Sequence, residues 1–129
     1  MRSRRTKSEP PHRFSYDGLD RVIHERARLS ILTSLLAHPK GLVFGELLEL
    51  CGLTDGNLNR HLQVLQSAKL VTVSRETGPG RPQTTCRITS SGRRRFLDYL
   101  AVLEQVLDDA SGARDADSRP DLPSVSVRG

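Results

Sequence analysis

Apolar residues recur three and four positions apart over residues 19–37 (LDRVIHERARLSILTSLLA), at Val22, Ile23, Ala27, Ile31, Leu32 and Leu35 among others. That period predicts an amphipathic helix, with Asp20 placed favourably near its positive end. His38-Pro39-Lys40-Gly41 stops it, because proline disfavours helical backbone in the residue before it. The apolar triplet Leu42-Val43-Phe44 suits a small strand or the start of another helix. Residues 45–51 (GELLELC) then make two helical turns, closed by Gly52 in the left-handed conformation that often ends helices.

Over residues 55–68, Leu58, Leu62, Leu65 and Ala68 repeat at helical spacing and are expected to be a buried stripe. Thr54 suits the N-cap of this helix, and Asp55 suits its first turn. Gly56 is a poor interior residue, but near a helix start it lets backbone come close to something large. Asn59, Arg60, Gln63 and Gln66 lie away from the stripe, with Asn57 at the helix start. His61 borders the stripe and reads as a packed, hydrogen-bonded residue. Residues 70–77 alternate, with Val71 and Val73 on one side and Thr72 and Ser74 on the other, as a half-buried strand does. Gly78-Pro79-Gly80-Arg81-Pro82 is a turn-rich tip, and residues 83–88 (QTTCRI) return as a second strand with Cys86 and Ile88 inward. Thr89 or Ser90 caps a last helix, over about residues 91–110, whose apolar residues cover more than half its surface.

Charge sharpens this picture. The net charge of +5 is unevenly laid out: residues 56–95 carry eight basic residues against Glu76 alone, while residues 14–55 carry four basic and six acidic. So basic a stretch suggests a polyanionic partner. The two ends differ from the middle. Residues 1–13 (MRSRRTKSEPPHR) hold five basic residues against Glu9, two prolines and almost nothing apolar. They are expected to be a disordered basic arm, since they bury too little to offset ordering entropy. Residues 111–129 balance three arginines against three aspartates around Pro120 and Pro123, and are expected to be a flexible tail. Residues 14–110 remain as one domain with a modest core that oligomerisation would help.

No apolar run approaches the ~20 residues of a membrane span, and the Arg-rich start lacks the hydrophobic stretch of a secretory signal. Cys51 and Cys86 sit in apolar contexts without metal-type spacing, and read as reduced packing residues of a cytoplasmic protein; a disulfide or redox pair is the alternative. Ser90, Ser91, His24, His38 and His61 form no nucleophile or metal spacing, and no Gly-rich phosphate loop follows a buried strand. The expectation is therefore no enzyme, no metal and no cofactor. With aromatics only at Phe14, Tyr16, Phe44, Phe96 and Tyr99, and none in the hairpin, stacking on single-stranded RNA is disfavoured.

A helix fits the major groove of DNA, where Asn and Gln pair with adenine and Arg with guanine. Thr54, Gly56, Asn57, Asn59, Arg60 and Gln63 are the candidates for contact there. The loop and flanks of the hairpin, with Arg75, Arg81, Gln83, Thr84 and Arg87, offer charge and hydrogen bonds to phosphate or a narrow minor groove. Helix, turn, reading helix and basic hairpin together resemble the winged helix-turn-helix domains of small bacterial and archaeal transcriptional regulators in the broad MarR/ArsR-like group. The pieces that carry the resemblance are ERARLSILTSL, GELLELCGLT, DGNLNRHLQVLQSAKLV, GPGRPQTTCRIT and ITSSGRRRFLDYLAVLE. The run from LTDGNLNRHL to TTCRITSSGRRRF is similar to a compact one-domain subgroup often labelled winged helix DNA-binding domain.

The resemblance implies a mainly α fold with a small β-hairpin wing (α+β), dimerisation through the terminal helices, and double-stranded DNA as partner. Two departures stand out. Metal-sensing members carry paired cysteines near the second helix, where only Cys51 occurs here, so metal sensing is not carried over. Lys69 stands where many relatives have glycine. Because the last helix is too apolar to serve one small core, Leu97, Leu100, Leu103, Val106 and Leu107, joined by Leu29 and Ile23 of the first long helix, are expected to form the seam of a homodimer. The competing reading is a winged helix that binds a partner protein and reads no DNA.

Overall fold

The computed structural model describes residues 9–80 and 82–118. The elements run α1 (Arg26–Ala37), β1 (Leu42–Val43), α2 (Phe44–Cys51), α3 (Asp55–Ser67), β2 (Val71–Glu76), β3 (Gln83–Ile88) and α4 (Ser90–Ser118). They fall into two compact units, Gly18–Tyr99 and a second from Met1–Asp17 with Leu100–Gly129. Four helices and a three-stranded antiparallel sheet give the α+β winged-helix architecture that the sequence pattern predicts.

α1 begins at Arg26, so it is shorter than the span 19–37 suggested by periodicity. Asp20 is the cause. Its Oδ1 accepts from the Val22 N–H at 2.9 Å and its carbonyl from the His24 N–H at 2.7 Å, which folds the preceding stretch into a turn. The Asp20 carboxylate also holds the Arg95 guanidinium, with Nε at 2.5 Å. Glu25 then caps α1 by accepting from the Arg28 N–H at 2.9 Å. Leu42-Val43 is a strand and Phe44 opens α2, so both alternatives for that triplet are realised in succession. Gly52 closes α2 at φ 64° and ψ 40°, and Thr54 caps α3 by accepting from the Asn57 N–H at 3.2 Å.

Lys69, directly after the C-cap of α3, adopts φ 65°. The Leu70 N–H bonds the Leu65 carbonyl at 2.9 Å, the six-residue closure in which a left-handed residue is required. Lysine meets that requirement at a cost that glycine would not have.

β3 is the central strand, in the order β1-β3-β2, with Leu42 and Val73 both opposite Cys86 and with Val71 opposite Ile88. The core of Gly18–Tyr99 gathers Ile31, Leu32 and Leu35 of α1, Leu47 of α2, Leu58 and Leu65 of α3, and Phe96 and Tyr99 of α4, all buried. Truncating one such leucine to alanine costs about 2–5 kcal/mol.

α4 starts where Thr89 Oγ1 accepts from the Gly92 N–H at 2.8 Å, so Thr89 is its cap. It continues to Ser118, past the residue 110 expected from apolar spacing; Gly112 is a poor helix former, but SGARDADS contains no proline to stop the helix. In the second unit, Arg13 makes two hydrogen bonds to Asp109, at 3.0 and 2.9 Å, and Tyr16 donates to the same carboxylate. The expected basic arm and flexible tail lie mostly outside the described residues.

Candidate nucleic-acid interface

α3 has two faces, set by where its leucines fall. Leu58, His61, Leu62 and Leu65 are buried. On the opposite side Gly56, Asn59, Arg60, Gln63, Gln66 and Ser67 are exposed, and Asn57 is half-buried at the first turn. Thr54 is exposed, but its hydroxyl is used in the cap. The described ion pairs involve none of the polar residues on the exposed face. From Gly56 to Arg75 the sequence contains no carboxylate, although Asp55 and Glu76 bracket the stretch.

What holds this face outward is a tie behind it. Arg28 of α1 donates from Nε to the Val22 carbonyl at 2.6 Å, and its Nη1 lies 3.2 Å from His61 Nδ1. An arginine is always a donor, so in this hydrogen bond His61 Nδ1 is the acceptor. Glu25 Oε1 sits 3.8 Å from the same nitrogen. The Glu25 carboxyl is held below its ordinary range: desolvation, the largest single effect, raises it, but hydrogen bonds from the Arg28 and Ala27 N–H groups and the nearby His61 and Arg28 side chains together outweigh that. His61 is thus the packed residue expected.

Val64 had escaped the pattern. It is 36 % exposed and flanks the polar face, on the outer side of α3. The signal was present in the sequence, since Val64 breaks the spacing of Leu58, Leu62 and Leu65. Gly56 is equally telling: a Cβ there would have nothing within 4 Å, so no packing inside the protein asks for glycine.

The hairpin spreads the wing candidates apart. Arg75 lies opposite Thr84, and Glu76 opposite Gln83, at the distal end. Arg75 and Gln83 are exposed, and Thr84 is half-buried. Arg87 is opposite Thr72 in the stem, and its Nε donates to the Lys40 carbonyl at 3.0 Å. Alternation places Arg75 and Arg87 on opposite faces of the ladder. Arg81 lies outside the described residues. The basic stretch is also less free than its composition suggests, because Arg95 is committed to Asp20.

Of the expected seam, Leu97 is 45 % exposed and Leu29 half-buried in the Gly18–Tyr99 unit. Ile23, by contrast, is fully buried in the core there and has no surface to offer a second copy. In the other unit Leu107 is 59 % exposed, and Leu100, Leu103 and Val106 are half-buried. Cys86 is buried and its thiol is pushed up to about 11, while partial burial also raises the Cys51 thiol. Neither is a reactive thiolate at neutral pH. Among the described residues no group of three or more His, Cys, Asp or Glu is placed to hold a metal ion, and no helix is long and apolar enough to cross a membrane.

Residues 27–107 match the family described as winged helix DNA-binding domain. An uncharacterized protein of Methanocaldococcus jannaschii is 33% identical over 86 residues, which cover 67% of this chain and 92% of that protein. Among solved structures, a transcriptional regulator homologue from Pyrococcus horikoshii OT3 matches with a TM-score of 0.66 at 29% identity, covering 69% of this chain and 87% of that one. A mutant of MepR from multidrug-resistant S. aureus shares the fold, with a TM-score of 0.55 and 18% identity over 81% of this chain and 73% of its own. The family match begins in α1, takes in α3 with its cap and the hairpin, and ends in α4. The chain belongs to the winged helix DNA-binding domain family.

Proposed function

We propose that this chain is a transcriptional regulator that binds double-stranded DNA sequence-specifically, as a homodimer. The observation that carries the reading is the outer face of α3, where Gly56, Asn59, Arg60 and Gln63 are exposed together on a helix fixed from behind by leucines and His61. In the proposed complex α3 lies in the major groove, and Arg60, Asn59 and Gln63 meet base edges. Asn57 and the start of α3 approach the backbone closely over Gly56, and Thr54 keeps the first turn formed.

Arg75, Gln83 and Thr84 at the wing, with Arg81, contact the flanking strand. Arg87 contributes from the stem with whatever of its guanidinium the Lys40 carbonyl leaves free. The regulatory role is supported by the description of the Pyrococcus horikoshii protein as a transcriptional regulator homologue. Leu97, Leu100, Leu103, Val106 and Leu107 form the proposed dimer seam. A two-fold dimer sets two copies of α3 about 34 Å apart on a pseudo-palindromic site. The site of action is the cytoplasm, with the DNA.

Selection of bound sites from random duplex DNA tests this, repeated with Asn59→Ala and Arg60→Ala. The expected result is an enriched two-fold motif that blurs at particular bases in each variant. No enrichment, or a motif unchanged in both variants, overturns it.

A further inference from the structure

Leu50, in the last turn of α2, is 58 % exposed, more than any other large aliphatic side chain described in the Gly18–Tyr99 unit. It stands between two hollows. One, of about 660 Å³, is lined by His38, Leu42, Glu46 and Glu49; the other, of about 400 Å³, is lined by Arg26, Leu29, Ser30, Thr33 and Ser34. The face therefore carries a knob at its centre, carboxylates on one side and a guanidinium on the other. Glu46 Oε1 is occupied by the Val43 N–H at 3.2 Å, which leaves Glu49 as the freer acid. Neither Glu49 nor Arg26 enters a described ion pair.

We propose that this face docks on the same face of a second copy of the chain, around a two-fold axis beside Leu50. A two-fold interface turns the surface over, so groups on opposite sides of the axis meet. Arg26 then faces the partner's Glu49, the pair occurs twice, and each Leu50 enters a hollow of the other copy. The presence of both charges on one face singles out a second copy, and the two glutamates exclude DNA. This surface shares no residue with the proposed seam on α4. Using both would join dimers side by side, so that neighbouring DNA sites fill cooperatively.

Light scattering and sedimentation of the full chain at low salt test the proposal. Leu50→Asp is expected to weaken self-association about a hundredfold, roughly tenfold for each of the two Leu50 contacts that the two-fold axis generates. Arg26→Glu and Glu49→Arg each weaken it, and the double reversal restores it. Glutamate in the first turn of α1 and arginine in the last turn of α2 suit the helix dipoles, so the variants fold, as circular dichroism will check. A Leu107→Asp background separates this surface from the α4 seam: Leu50→Asp still weakens the residual association there. Equal association of wild type and Leu50→Asp, or a double reversal as weak as the single ones, overturns the proposal.

Discussion

A Cβ added at Gly92 would lie 2.1 Å from the Leu70 carbonyl oxygen, and that oxygen cannot step aside because it accepts from the Thr89 N–H at 3.0 Å and from Thr89 Oγ1 at 3.1 Å. Gly92→Ala is therefore expected to cost about 3 kcal/mol, read as a lowered denaturation midpoint. Gly56→Ala behaves in the opposite way. With open space at its Cβ position it should stabilise the fold by about 0.5–1 kcal/mol. If α3 lies against DNA it should weaken binding at the same time. Tighter binding together with higher stability would remove Gly56 from the interface. Such residue-scale facts were unevenly legible in the sequence. Thr54 and Gly52 could be read because a cap acts on its own neighbours. Gly92 could not, since its reason is the carbonyl of a residue twenty-two positions earlier, brought close only by the fold.

At the scale of elements the same division holds. β3 has the limits that alternation gives, Gln83–Ile88, and α3 and β2 differ from expectation by a residue or so at their ends. α1 was read too long because Asp20 joins a turn to α4 through Arg95, a contact that local periodicity does not record. Arg87 looked like part of the wing tip because composition does not say which ladder position reaches Lys40.

The Asp20–Arg95 pair makes a pH prediction. The hydrogen bond from Arg95 lowers the Asp20 carboxyl below its ordinary value. A depressed carboxylate stabilises the fold above the unfolded pKa of about 4, and loses that contribution as pH falls through its folded value. Asp20→Asn should thus be less stable than wild type at pH 7, by about 1 kcal/mol given the partial exposure of Arg95. The gap should close in acid. A gap that stays constant between pH 7 and pH 2 would show that it does not come from the charge of the Asp20 carboxylate.

For the whole molecule, the outer face of α3 and the basic residues around it imply that phosphate neutralisation dominates affinity. Binding to duplex DNA should fall linearly with the logarithm of salt concentration, with a slope of about −0.9 for each phosphate neutralised. Removing Arg75 should reduce that slope by roughly one in titrations of Arg75→Ala against wild type. Family and fold were legible because two helices, the second of them capped, and a hairpin occur in order within one short stretch. The exposure of Leu50 was not, because exposure is a property of the folded surface.

The central claim is that the exposed side chains of α3 discriminate among bases. Its most direct test is the affinity of Arg60→Ala, relative to wild type, for the selected duplex and for a scrambled duplex of the same length. The account predicts a loss of about 1–3 kcal/mol on the selected site and little on the scrambled one. An equal loss on both would make Arg60 a backbone contact and contradict base reading by this residue.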